Sequence, residues 1–482
     1  MNYSVIIYIL GKVLVFESIF MLLPSIVGLI YREQKGFAFI IVAIVSFIIG
    51  MIITRFKPKN QKLYTKEGFV VVALSWIMIS AVGALPFIIN KDIPHFIDAM
   101  FETISGFTTT GASILQNVEK LSHASLFWRS FTHWIGGMGV FVFMLAILPM
   151  VGGYNMHILR AESPGPSISK LVPKLRDSAA ILYKIYFVMT IIQIVLLLAV
   201  GMPLFDSLTL SFGSAGTGGF SIRADGLAGY SVTMQAIITI FMILFGVNFN
   251  AYFFLLGKDK KEIFKMEEVK WYFIIILASI IMIAINVRGY FKNFFESFHH
   301  AAFQVGSIIT TTGYATTDFN KWPSFSKGIL VILMFIGACA GSTGGGIKVS
   351  RIIIVFKTMI HEINRYIHPR IVKSMRFDDK PLDVTIIKGV MAFISAYLFL
   401  FTASVFLVNL DGYDLVTSFT AVAATFNNIG PGLELVGPMG NFDMFSYPIK
   451  LVLMFDMLAG RLELFPMLVI LVPSVWKKNI RK

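Results

Sequence analysis

The chain is 482 residues long, 56% hydrophobic, and carries a formal net charge of +14, with a mean hydropathy of +0.77. Soluble globular chains run nearer to about 45–50% apolar, so a water-soluble fold is excluded. Its single cysteine, Cys339, excludes an internal disulfide and a cysteine metal cluster.

Apolar runs fall at 4–30, 37–53, 68–90, 125–150, 180–203, 232–256, 270–288, 328–358, 386–410 and 447–475. Each is long enough to cross ~30 Å of hydrocarbon as a helix. The expected fold is therefore an all-α polytopic membrane protein with about ten transmembrane helices. The first run holds Lys12 and Glu17. It is too long for the apolar core of a signal peptide and lacks a basic start and a cleavage site, so it is expected to be retained.

Basic residues crowd alternate loops. Arg55, Lys57, Lys59, Lys62 and Lys66 fill the first; Arg160, Lys170, Lys174 and Arg176 the second. Lys258, Lys260, Lys261, Lys265 and Lys270 fill the third, Arg351 to Lys388 the fourth, and the tail "WKKNIRK" the last. Ten crossings put all five, and both termini, on one side, which the positive-inside rule assigns to the cytoplasm. This alternation accounts for the charge without a nucleic-acid partner. Part of the basic surface is expected to meet anionic membrane lipid.

Between the crossings one pattern occurs four times. In chain order it reads "DAMFETISGFTTTGAS" (98–113), "DSLTLSFGSAGTGGFS" (206–221), "HAAFQVGSIITTTGYA" (300–315) and "TSFTAVAATFNNIGPG" (417–432). The four align without a gap on Gly111, Gly219, Gly313 and Gly430. Each opens with about ten helix-compatible residues and breaks into a short polar strip. All four lie on the side opposite the basic loops, and two crossings fill every interval. The unit is crossing, re-entrant half-helix, strip, crossing. Its repeats are parallel, so four strips are expected around one central pore. The expected division is 1–60 for two extra N-terminal helices, then repeats over 61–165, 166–262, 263–372 and 373–482.

Non-helical backbone at membrane depth is tolerated only where it is buried in protein or lines a cavity. Rings of backbone carbonyls replace the hydration shell of an alkali cation. Glycine permits the positive φ that turns carbonyls inward, threonine stiffens an extended backbone, and the C-terminal end of each half-helix favours a cation. The residues expected to line an ion path are Thr109, Thr110, Gly111, Thr217, Gly218, Gly219, Thr311, Thr312, Gly313, Asn428, Ile429 and Gly430. A large, weakly hydrated cation such as potassium suits such oxygens; hard divalent ions would want carboxylates.

The strips "TTTGAS", "GTGGFS", "TTTGYA" and "NNIGPG" together resemble those of the Trk/Ktr/HKT superfamily of potassium transporters. "HWIGGMGVFVFMLAILP" (133–149), "GACAGSTGGGIK" (337–348) and "GRLELFP" (460–466) add to the resemblance, which covers the chain from about residue 68 onward. The two extra N-terminal crossings are similar to those of the bacterial Trk membrane subunit. The resemblance implies potassium uptake across the bacterial cytoplasmic membrane, a homodimer with one pore per subunit, and a cytoplasmic nucleotide-binding ring (TrkA-like) as regulator. It also implies that a serine at a filter glycine admits sodium, and all four glycines stand here. The fourth strip departs by carrying Asn428 and Ile429 where threonines stand elsewhere. An alternative within the same reading is a symporter coupling potassium to protons or sodium. Parallel rather than inverted repeats speak against an alternating-access carrier. No HExxH, GxSxG-type nucleophile or paired-aspartate motif lies in the crossings, so no enzyme and no bound cofactor are expected.

The eighth run is broken by Gly337, Gly341, Ser342, Thr343, Gly344, Gly345 and Gly346 before Lys348. Each glycine costs ~1 kcal/mol relative to alanine in a helix. The stretch lacks the Gly-Lys-Ser/Thr ending of a phosphate-binding loop and is expected to lie beneath the strips as a gate. Arg461 falls near mid-membrane, where a charge must face protein or water. It is expected beside that loop, possible ion partners being Asp456 and Glu463. The adjacent His299 and His300 point apart on a helix and lack a third ligand. "HWIGGMG" (133–139) is expected to pack helices closely through its small residues.

Overall fold

The structure, a computed structural model, describes residues 1–59, 64–147, 175–257, 260–369 and 374–476. Lys62, Arg160, Lys170, Lys174, Lys258, the end of the tail and the expected boundary at 165/166 lie outside the described residues.

Its regular elements are nearly all helices. Helices α1 (Tyr3–Phe20), α2 (Leu22–Ile30) and α3 (Gly36–Arg55) form the N-terminal pair of crossings. The first unit is α4 (Thr65–Ile89), the half-helix α5 (Phe96–Phe107) and α6 (His123–Ile147). The second is α7 (Leu175–Ala199), α8 (Leu204–Gly216), α9 (Val232–Phe245) and α10 (Phe249–Leu256). The third is α11 (Glu267–Asn286), α12 (Phe294–Ile309), α13 (Ser324–Ile336) and α14 (Val349–Ile367). A small hairpin, β1 (Arg376–Phe377) against β2 (Lys380–Pro381), leads to the fourth. That unit holds α15 (Val384–Val408), α16 (Leu415–Phe426), α17 (Tyr447–Arg461), α18 (Phe465–Leu471) and α19 (Pro473–Trp476).

The ten expected crossings are of two kinds. Six are continuous apolar helices: the N-terminal pair and the first crossing of every unit, at Tyr3–Ile30, Gly36–Arg55, Thr65–Ile89, Ala180–Ala199, Glu267–Asn286 and Val384–Asp411. All but Thr65–Ile89, which is mostly buried, present wide apolar faces, with Ile192 and Val195, Ile274 and Leu277, and Leu398 and Phe399 exposed along their outer sides. The second crossing of each unit is different. In α6 it carries the buried Arg129 and His133. In the second unit α9 and α10 meet at 92°, the chain having turned at Asn248, whose side chain caps α10 by accepting from the Asn250 amide at 3.0 Å. In the third, twelve residues from Gly337 to Lys348 separate α13 from α14. In the fourth, Glu463 and Leu464 adopt positive φ, 57° and 67°, between α17 and α18. The second crossings, α6 whole and the other three broken, surround the centre, where protein partners satisfy the freed backbone groups of the broken ones.

Small residues bring the half-helices against this inner layer. A Cβ on Gly136 would lie 1.9 Å from the Phe107 carbonyl oxygen, and one on Gly137 would lie 2.6 Å from the Gly216 Cα. The expected close packing by "HWIGGMG" is what the backbone of α6 achieves against the ends of α5 and α8.

Candidate ion pathway

All four half-helices end in the same way. The amides of Thr110, Gly218, Thr312 and Ile429 donate to the carbonyls of Ser105, Gly213, Ser307 and Ala424 at 2.8–2.9 Å, five residues back. The residue before each amide is left-handed: Thr109, Thr217 and Asn428 at φ 55° and Thr311 at φ 59°. This is the left-handed helix ending that glycine usually occupies, here occupied by β-branched threonine three times. Two residues on, Gly111, Gly219, Gly313 and Gly430 return to positive φ, between 71° and 97°.

The strips meet in a closed ring. A Cβ on Gly111 would lie 2.0 Å from the Gly218 carbonyl oxygen, one on Gly219 1.9 Å from that of Thr312, and one on Gly313 2.0 Å from that of Ile429. The ring closes where a Cβ on Gly430 would lie 2.8 Å from the Thr110 carbonyl oxygen. Each unit thus offers the same carbonyl, from the residue preceding its glycine, to the glycine of the unit before it, the first unit serving the fourth. Only glycine fits such an approach. The helix C-termini, with their partial negative charge, surround the same point.

Hydroxyl pairs brace the first and third strips: Thr108 with Thr110 at 2.8 Å, and Thr310 with Thr312 at 2.7 Å. The fourth strip uses its departure from the pattern differently. The Asn428 amide donates to Thr110 Oγ1 and to the Met457 carbonyl, both at 2.9 Å, which ties the fourth unit across the seam to the first. At the second strip Gly218 lies against the ring of the buried His133, which stacks on Phe220 at 4.3 Å.

On one side of the ring a cavity of about 150 Å³ is lined by the four glycines and by residues just beyond them, among them Ser113, Arg129 and Ser221. On the other side runs the Gly337–Lys348 loop. The Gly345 amide donates to Thr311 Oγ1 at 2.6 Å. A Cβ on Gly344 would lie 2.9 Å from the Thr310 carbonyl oxygen, and one on Gly345 2.3 Å from that of Asn427. The loop therefore passes directly beneath the third and fourth strips. Glu268 of α11 holds both its ends, accepting from the Ala340 amide at 2.6 Å and the Ser350 amide at 3.0 Å. Lys348 curls back to donate to the Gly344 carbonyl.

Arg461 reaches the loop from the fourth unit. It donates to the Thr343 carbonyl at 2.8 Å and to the Gly136 carbonyl of α6 at 2.7 Å. Neither Asp456 nor Glu463 forms an ion pair with it. The positive-φ turn at Glu463 carries that side chain to Arg351, 2.5 Å away, and Asp456 accepts from Ser404 at 2.7 Å. Among the described residues no group of acidic, histidine and cysteine side chains could hold a metal ion.

Sequence reasoning placed the expected ring residues together and the loop next to Arg461. It missed the buried pair of Glu102 and Arg129 beside the cavity, 2.8 Å apart. The signal available was a charge in an apolar run at 125–150. It also missed Glu268, which stands beside Glu267 and Lys270 in the charged stretch "KMEEVK" and so gives no such signal.

A family model described as "TrkH: Cation transport protein" matches residues 35–478. The Trk system potassium uptake protein TrkH of Salmonella typhimurium is 38% identical over 488 residues, covering 99% of this chain and all of that protein. The protein of the same name in Escherichia coli K12 is also 38% identical at the same coverage. The crystal structure of the potassium transporter TrkH from Vibrio parahaemolyticus superposes with a TM-score of 0.88 at 33% identity, over 99% of this chain and all of that one.

Proposed function

The chain belongs to the TrkH family of cation transport proteins, and on that premise we propose that it takes up potassium through a channel-like pore along the axis of its four units. The observation that carries this is the closed ring of Gly111, Gly219, Gly313 and Gly430, each against the carbonyl oxygen of the next unit. Four equivalent oxygens, from Thr110, Gly218, Thr312 and Ile429, replace water around a weakly hydrated cation without a carboxylate. The remaining strip residues, Thr109, Thr217, Thr311 and Asn428, hold the left-handed turns that aim those oxygens.

The Gly337–Lys348 loop and Arg461 form the closed gate in this reading. The loop obstructs the path beneath the ring, and the guanidinium adds a positive field there. Withdrawal of the loop needs a pull on α14, which continues directly from Lys348. The chain works as a homodimer in the cytoplasmic membrane with both termini inside, and a TrkA-like nucleotide-binding ring on the basic face supplies that pull. This assignment rests on the relatives' naming as parts of a Trk system and on the run of basic residues from Arg351 to Lys388.

The test is uptake in potassium-starved cells lacking their own transporters, comparing potassium, rubidium and sodium. Growth rescue with potassium and rubidium uptake, and exclusion of sodium, is the expected result. Sodium entering as readily as potassium overturns the reading. A requirement for an inward proton or sodium gradient at fixed membrane potential would instead favour the symport variant.

A further inference from the structure

The cavity above the ring is bounded by a charged pair that the pore itself does not require. Glu102 is 1% exposed and Arg129 3% exposed. Arg129 donates through Nε to Glu102 Oε1 at 2.8 Å, through Nη1 to the Ser221 carbonyl at 3.2 Å, and through Nη2 to Ser113 Oγ at 3.4 Å. Its guanidinium lies 4.0 Å from the centre of the Phe220 ring. Glu102 in turn accepts from Ser113 Oγ at 3.0 Å and from the Ile114 amide at 3.0 Å.

The register gives these bonds their meaning. Ser113 and Ser221 stand two residues beyond Gly111 and Gly219, and Ala315 stands two beyond Gly313. The Ser113 carbonyl accepts from the Phe442 amide at 2.8 Å, and the Ala315 carbonyl from the Leu227 amide at 2.9 Å. At the corresponding carbonyl of the second unit, Ser221, the donor is Arg129. A side chain therefore performs at one seam what backbone amides perform at two others. It also joins the first strip to the second, because Glu102 and Ser113 belong to the first unit and Ser221 and Phe220 to the second.

We propose that Arg129, neutralised by Glu102, is a selectivity-positioning residue that fixes the spacing of the first and second strips at the mouth of the ring. The inference rests on the reading of that ring as a potassium pathway. A guanidinium beside a cation path is tolerable only with its carboxylate in place; alone, it repels the permeant ion. The pair thus has two separable duties, one geometric and one electrostatic. Loss of Glu102 alone leaves an uncompensated buried cation, and loss of both leaves no charge but an untethered Ser221 carbonyl.

The experiment measures potassium and sodium flux in proteoliposomes for the parent, Glu102→Gln, Arg129→Gln, Arg129→Lys and the double variant Glu102→Gln/Arg129→Gln, with gel filtration reporting folding. Glu102→Gln is expected to lower potassium flux by about tenfold or more, and the double variant to recover most of that flux. The double variant and Arg129→Lys are expected to conduct with a potassium-to-sodium ratio reduced by about fivefold or more, since the fork that holds Ser221 is gone. Where the single variants do not fold, the double variant decides alone. A double variant as selective as the parent overturns the proposal and makes the pair a fold stabiliser. A parent that passes sodium and potassium alike overturns the ring reading itself, which is a different result.

Discussion

Gly111, Gly219 and Gly313 each face a carbonyl oxygen that a Cβ would approach to 1.9–2.0 Å, whereas at Gly430 the distance is 2.8 Å. Serine at the first three must displace backbone of the next unit, and serine at Gly430 displaces it less. The expected order of damage to potassium-over-sodium uptake is therefore Gly219, Gly111 and Gly313 together, then Gly430, measured as relative uptake of the two ions in each variant. An equal effect at all four sites would mean that the positive φ alone matters. Arg461 belongs to the same scale. Changing Arg461→Ala removes two hydrogen bonds, to Thr343 and Gly136, and a fixed positive charge, so basal flux is expected to rise with ion preference unchanged. Flux no faster than the parent in a folded variant places the gate elsewhere. The glycines were legible in sequence because four copies share one register. The partners of Arg461 were not, because the turn at Glu463 and Leu464 uses residues that give no turn signal, and it carries the nearest carboxylate to Arg351.

At the scale of elements, each half-helix and the second crossing beside it must approach backbone to backbone. Gly137→Ala brings a Cβ to 2.6 Å from the Gly216 Cα and 2.9 Å from the Tyr186 hydroxyl. Such overpacking costs about 1–3 kcal/mol, and thermal unfolding of the purified variant should fall accordingly. The Gly337–Lys348 loop makes the opposite prediction. Deleting Gly341 to Gly345 removes the bonds to Thr311 and Arg461 while leaving the ring's own carbonyl contacts in place. Basal rubidium flux is expected to rise without a change in preference, and a deletion variant that is tight and folded contradicts the gate. Glycine content announced this break in the sequence. The 92° bend between α9 and α10 falls at "GVNFN" (246–250), where Gly246, Asn248 and Asn250 interrupt the apolar run too briefly to divide it by hydropathy. What hydropathy reads as one crossing becomes two pieces wherever a neighbouring unit supplies the missing hydrogen bonds, as Phe249 shows by donating to the Gly341 carbonyl at 3.1 Å.

For the whole molecule, three of the four second crossings can be broken because they meet protein rather than lipid, which satisfies their freed backbone groups. In the proposed reading, a partner on the basic residues around α14 acts on the loop that precedes it. Purified chain is therefore expected to capture a nucleotide-binding assembly from cytosol of its own source cell, and nucleotide alone is expected to leave its flux unchanged. The central claim remains the carbonyl ring. Its most direct test is the reversal potential of the purified chain in a planar bilayer with potassium on one side and sodium on the other, for the parent and for Gly313→Ser. The ring predicts a parent potential close to that of a potassium electrode and a Gly313→Ser potential displaced toward zero; the same potential in both proteins, or a parent potential near zero, would contradict it.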